Sequence, residues 1–99
     1  MLEQRKHQRF ELKLPIELVH YGAAEQPRGE TKNVSSSGVL FTSPVPIEVG
    51  ASIEYLITFP KVPGSRAEVR LRCMGKVVRN ESNAFAATLE RYEFQRTRA

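Results

Sequence analysis

The sequence has no aspartate, one cysteine (Cys73) and two histidines (His7 and His20). A lone cysteine excludes an intramolecular disulfide and any zinc site built from several thiolates. Two histidines without an aspartate leave little from which to assemble a metal centre or a nucleophile–base pair, and no carboxylate cluster stands in for one. No apolar run approaches the roughly 18 residues that a helical membrane span needs. The opening Met1-Leu2-Glu3-Gln4-Arg5-Lys6-His7 lacks the apolar stretch of a secretory leader. The expectation is a soluble, cytoplasmic chain that is not an enzyme and carries no metal and no cofactor.

What remains is ordinary in bulk and biased in detail. The 99 residues, 40% hydrophobic and 26% charged, suit one compact domain with one core. The formal net charge of +4 comes mainly from arginine, of which there are ten against five lysines. Arginine's planar fork grips phosphate and stacks on flat rings, whereas lysine is a hydrated point charge. An anionic partner bearing aromatic bases fits that bias, although an exposed basic face satisfies it equally.

Apolar residues recur with a period of two. Phe10, Leu12, Leu14, Ile16 and Leu18 alternate with Glu11, Lys13, Pro15 and Glu17, the pattern of a half-buried strand. Ile53, Tyr55, Ile57 and Phe59 form a second row, and Val69, Leu71, Cys73, Gly75 and Val77 a third, opposed by Arg70, Arg72 and Lys76. Phe85, Ala87 and Leu89 make a shorter one, and two further strands are expected near Arg28–Val34 and Gly38–Thr42. On these rows Phe10, Tyr55, Phe59 and Phe85 read as core, and Cys73 as buried and inert. Turn residues punctuate the gaps at Tyr21–Pro27, Pro44–Gly50, Pro60–Ser65 and Asn80–Asn83. Short strands with punctuated loops and no long amphipathic helix indicate an antiparallel barrel or sandwich. Only Leu89–Arg98 reads as capable of a helical turn or two, and no internal repeat is evident.

Two segments carry chemistry. Arg5-Lys6-His7-Gln8-Arg9 precedes the first strand and is expected to be a mobile basic arm, and Asn33-Val34-Ser35-Ser36-Ser37-Gly38 is a turn between two strands. Either alone has a plain structural explanation: a solvated arm, and a self-bonded turn closed by glycine. In this order, separated by one long alternating stretch, they resemble the paired Arg-x-x-x-Arg and Asp/Asn-x-Ser-x-x-Gly signature of the PilZ family. Arg9-Phe10 and Gly38-Val39-Leu40-Phe41 resemble the family's flanking text as well.

The resemblance implies an all-β, six-stranded antiparallel barrel in a single domain over 1–99. Residues 1–9 would be the arm, 10–92 the barrel and 93–99 a tail. It also implies a receptor for cyclic di-GMP, a ligand with two phosphodiester charges and two guanines. Arg5 and Arg9 would take phosphate and guanine O6/N7 in bidentate fashion. Asn33 would meet a guanine edge, Ser35 a phosphate or base, and Gly38 would let the turn reach a positive φ or admit the ligand close to the backbone. Gln4, Lys6 and Arg79 are accessory candidates, and glutamine rather than a further arginine at position 4 favours one bound ligand molecule over two. The signal would pass by ordering of the arm to a downstream protein or a fused domain. A degenerate adaptor working only through protein contacts is the alternative. A barrel that binds nucleic-acid polymers is disfavoured because the aromatics lie on core rows and not along a basic groove. Asn33 in place of the aspartate of many members exchanges a charged acceptor for a neutral amide, which bears on affinity and not on fold.

Overall fold

The computed structural model describes residues 10–19, 27–60, 63–64 and 67–98. Among them are seven strands and no helix: β1 (Pro15–Val19), β2 (Arg28–Val34), β3 (Gly38–Thr42), β4 (Ser52–Thr58), β5 (Ala67–Glu81), β6 (Ala84–Thr88) and β7 (Arg91–Arg98). All pairings are antiparallel, in the order β4-β1-β2-β3-β6-β5, and β4 pairs with β5 to close a six-stranded barrel. The expected all-β barrel is the observed one, and β7 is an extra strand added to β5. No described helix is long and apolar enough to cross a membrane.

The alternating rows become the barrel interior. Ile16 and Leu18, Val39 and Phe41, Ile53, Tyr55 and Ile57, Leu71, Cys73 and Val77, and Phe85 and Ala87 are all buried. Phe41 sits among the other aromatics, its ring stacked on Tyr55 at 6.3 Å and tilted against Phe85 at 6.1 Å. Burial pushes the Cys73 thiol up to about 12, a rise that its hydrogen bond with Tyr55 partly offsets. Burial also drives the Tyr55 phenol well above the ordinary tyrosine range, and Cys73 adds to that.

Three expectations need correction. The first strand was expected to run from Phe10 but begins at Pro15, with Phe10 joined to Val34 by an isolated bridge. The cause is Thr31, a polar residue 1% exposed on β2. Its hydroxyl accepts the Leu14 N–H at 2.9 Å and donates to the Leu12 carbonyl, so a side chain takes two backbone groups that a ladder would have used. The apolar row therefore breaks, and Phe10 and Leu12 are exposed instead of buried. Second, Phe59 and Leu89 only pack against the core from its margin. Third, the tail is not helical. It forms β7, because the first half of the fifteen-residue β5 extends beyond β6 and offers a free ladder from Ala67 to Met74.

An internal repeat that the sequence hides is plain in the fold. Hairpin β2–β3 and hairpin β5–β6 share a pattern displaced by 46 positions: Gly29 and Gly75, Thr42 and Thr88, and register shifts at Thr31/Asn33 and Val77/Arg79. In each, the threonine carbonyl lies where a glycine Cβ would stand, 1.8 Å from its ideal position. The threonine hydroxyl takes the next backbone N–H, from Glu30 at 3.2 Å and from Lys76 at 2.9 Å. The hairpins meet through β3 and β6 with Leu40 opposite Ala86, themselves 46 apart, so an approximate twofold axis passes through that pair.

Two outcomes follow. Thr31→Val keeps the volume but strands the Leu14 N–H and the Leu12 carbonyl, and is expected to lower unfolding free energy by about 1–3 kcal/mol. An unchanged urea midpoint would contradict the role given to the hydroxyl. Because the Cys73 thiol is held above its unfolded value of 9.0, the unfolded state loses that proton first as pH rises. Stability should be level below about pH 8 and fall as pH climbs from about 9 toward 12, steepening above 10 as Tyr55 joins. Cys73→Ser should flatten the first part of that fall in denaturation curves taken at stepped pH.

Candidate functional site

The turn after β2 is built by its own side chains. Ser35 donates its N–H to the Gly38 carbonyl at 2.9 Å, and its hydroxyl lies 3.4 Å from that oxygen and 3.3 Å from both the N–H and the hydroxyl of Ser37. Ser35 thus closes the loop on itself. Gly38 does not adopt a positive φ, which among the described glycines only Gly50 and Gly64 do. A Cβ at position 38 would lie 2.7 Å from the Ala87 carbonyl, so this glycine lets β3 enter close against β6. The conformational freedom expected of Gly38 is therefore not what the turn uses.

The chain before β1 comes to this turn. Phe10 donates its N–H to the Val34 carbonyl, and Val34 returns one to Phe10, both at 2.9 Å. Arg9 is bonded to Phe10 and Ser35 to Val34, so the bridge ties the root of the arm to the start of the turn. Gln4, Arg5, Lys6 and Arg9 lie outside the described residues. On the other side Leu89 donates to the Ser37 carbonyl at 2.9 Å, which fixes the turn to the end of β6.

Asn33 and Arg79 are brought onto one surface by strand register. Asn33 is opposite Leu40, Leu40 opposite Ala86, and Ala86 opposite Arg79. Directly opposed residues share a face, so the four form one row on the outside of β2-β3-β6-β5. Three strand spacings make that row about 14 Å long. Asn33, Leu40 and Ala86 are half-buried and Arg79 is exposed, its Nε 2.6 Å from Glu81 Oε2. The row thus has an amide at one end, a low apolar middle and a guanidinium at the other.

Residue-by-residue reading did not single out Leu40 or Ala86, since nothing in a lone apolar residue announces the outer face. Nor did it see Phe10, 51% exposed at the root of the arm, as anything but core. The pair of Thr31 hydrogen bonds that breaks the first strand is visible only once β2 is paired. A surface depression of about 620 Å³ lies elsewhere, among Val19, Ser52, Glu54, Met74, Glu90 and Arg91. Two carboxylates against one cation make it a poor receptor for an anion. Among the described residues no group of His, Cys or Glu side chains is placed to hold a metal ion.

The described residues build a small closed antiparallel barrel with a Ser/Gly turn tied to the residue that follows Arg9. The chain belongs to the PilZ domain family, whose sequence profile it matches over residues 3–97. PilZ domains are in general cyclic di-GMP receptors or adaptors and not enzymes. Among solved structures the chain is similar to the inhibitor of motility MotI/DgrA of Bacillus subtilis, with a TM-score of 0.64 and 21% identity. The similarity covers 92% of this chain and 43% of that one, so this chain spans less than half of that protein's length. Among curated proteins none matches.

Gly38→Ala is expected to weaken the β3–β6 ladder, because the new methyl meets a backbone carbonyl that cannot swing aside. A loss of about 1–3 kcal/mol in unfolding free energy is expected, the usual cost of overpacking, with faster amide exchange at Val39 and Ala87. Wild-type stability in this variant would show that the close approach relaxes freely.

Proposed function

We propose that this chain is a cyclic di-GMP receptor whose basic arm, rooted at Phe10, closes over the outer row from Asn33 to Arg79. The observation that carries this reading is the Phe10–Val34 bridge. It joins the two signature segments within one residue of each, though they are far apart in sequence. Arg5 and Arg9 supply the cations and forks that two phosphodiesters and two guanines require. Asn33 offers a guanine edge both a donor and an acceptor, and Ser35 a hydroxyl already held in place by its turn. Leu40 and Ala86 offer the flat apolar floor on which a purine face can lie. Arg79 serves as an accessory at the far end, after exchanging Glu81 for a phosphate. Lys6 adds charge to the arm, and Gln4 leaves the site suited to one ligand molecule.

The mechanism needs no chemistry on the ligand. The ligand would fix the arm over the outer row, and a downstream protein or fused domain reads the change. The shift in that equilibrium is bounded by the ligand's differential affinity for the two arm states. Charge pairing of this kind weakens with salt.

Isothermal titration with cyclic di-GMP is expected to give saturable binding near one to one in the micromolar range, about −8 kcal/mol. Arg9→Ala should remove most of it while leaving the far-ultraviolet spectrum intact, since the arm precedes the core. Asn33→Asp should tighten it by restoring a charged acceptor for the guanine N1–H and N2–H. Leu40→Glu, on the floor of the row, should abolish it. Absence of heat up to millimolar ligand would sink the receptor reading and leave the adaptor role.

A further inference from the structure

β7 is an edge strand of eight residues with an unusual face. It pairs with β5 on one side only, and in the sheet order nothing lies beyond it among the described residues. Tyr92 is opposite Cys73 and Phe94 opposite Leu71, so both aromatics point to the side of the sheet that elsewhere forms the buried core. Yet β7 overhangs the barrel, and Tyr92 and Phe94 are 61% and 64% exposed. They form a connected aromatic ledge, Tyr92 edge-on to Phe94 at 6.4 Å and Phe94 edge-on to Phe59 at 6.3 Å. An open ladder edge beside exposed aromatics is a template for a further strand, which natural proteins usually shorten or cover.

We propose that the occupant of this edge is the β7 strand of a second copy of this chain, paired antiparallel about a twofold axis normal to the sheet at Phe94. The edge is self-complementary. In that register Phe94 opposes Phe94 of the second copy, and Tyr92 opposes Arg96, an aromatic face against a guanidinium. On the other face Glu93 opposes Gln95. A slip of one residue in either direction sets Arg91 against Arg96 or against Arg98, and a slip of two in one direction sets Glu93 against itself. Like charges directly opposed destabilise a strand pair, so the charges along this edge penalise three of the four registers within two residues of the proposed one, and the fourth gives up the Phe94–Phe94 pair. The contact is a single strand pair with an aromatic cluster, the scale of a weak, reversible interface. It is independent of the nucleotide reading, since β7 carries none of the residues of the outer row.

Sedimentation of the chain over a concentration series tests this directly. Reversible monomer–dimer exchange is expected, shifted to monomer in Phe94→Glu with an unchanged circular dichroism spectrum. Register is read by cysteine variants, because Cys73 is buried and does not interfere. Under mild oxidation Phe94→Cys should give a disulfide-linked dimer, its two Cβ atoms about 4.5–5.5 Å apart across the axis. Arg91→Cys should not, its two copies lying about 20 Å apart at the ordinary rise per residue. A chain that stays monomeric to millimolar concentration would overturn the proposal and leave the ledge to a different protein. A dimer that survives Phe94→Glu, or that links as readily through position 91 as through 94, would overturn it too.

Discussion

The contact on which the rest of this fold depends is the crossing of the Thr88 carbonyl over Gly75. β5 has to serve two neighbours along the same edge, β6 for its second half and β7 for its first. Between them the chain must leave one ladder and enter the next without exposing its backbone groups. It does so by pressing Thr88 into the space a side chain at position 75 would fill. The groups freed by the crossing are taken locally: the Thr88 carbonyl by the Tyr55 hydroxyl at 3.0 Å, the Lys76 N–H by the Thr88 hydroxyl, and the Met74 carbonyl by the Glu90 N–H at 2.8 Å. Tyr55 is wholly buried, so the crossing is wired into the centre of the core.

The equivalent crossing at Gly29 and Thr42 explains why the candidate site lies where it does. Two residues beyond each glycine the register shifts, and a bulge re-aims the residues that follow it. The residues resuming the ladder after those shifts are Asn33 and Arg79, the two ends of the outer row. An amide and a guanidinium are therefore displayed symmetrically about Leu40 and Ala86 by the device that also bends the sheet into a barrel. The two hairpins differ in what caps them. One tip is the Ser35–Gly38 turn, preceded by the Phe10–Val34 bridge and bound to Leu89. The other is Ser82–Asn83, with Ser82 at a φ of 27°. Only the first is joined to a basic segment.

Much of this was legible from alternation alone. Strands β2 and β3 fall where Arg28–Val34 and Gly38–Thr42 predicted them, and the rows of β4, β5 and β6 point as their periods require. The failures share one physical cause: each is decided by a partner distant in sequence. Phe10 and Leu12 keep perfect alternation, but the Thr31 hydroxyl, nineteen positions from Leu12, takes the backbone out of the ladder. The tail becomes a strand because β5 is long enough to need a second neighbour, and Arg91–Arg98 on its own gives no sign of that. The repeat stays hidden because only Gly29/Gly75, Ser36/Ser82 and Thr42/Thr88 agree in identity across the paired hairpins. Of the site, the residue types of the turn and the arm were readable, as was their order. The floor between Asn33 and Arg79 was not, because it exists only after four strands align.

That alignment also sets how the candidate site and the β7 edge relate. The Ser37 carbonyl accepts from Leu89, and Leu89 lies two residues before β7 begins. The turn next to the Phe10–Val34 bridge is thus one hydrogen bond from the connection that leads into β7. Glu90 adds a second tie, its carboxylate accepting from the same Thr88 hydroxyl that caps Lys76. Leu89 directly follows Thr88, so the turn and the Gly75 crossing meet at neighbouring residues, and Tyr92 and Phe94 follow within six positions. Packed elements joined at so few residues move as units and not by continuous bending. The barrel wall is the rigid body here, and the turn and the ledge are the two features hung from the same corner of it.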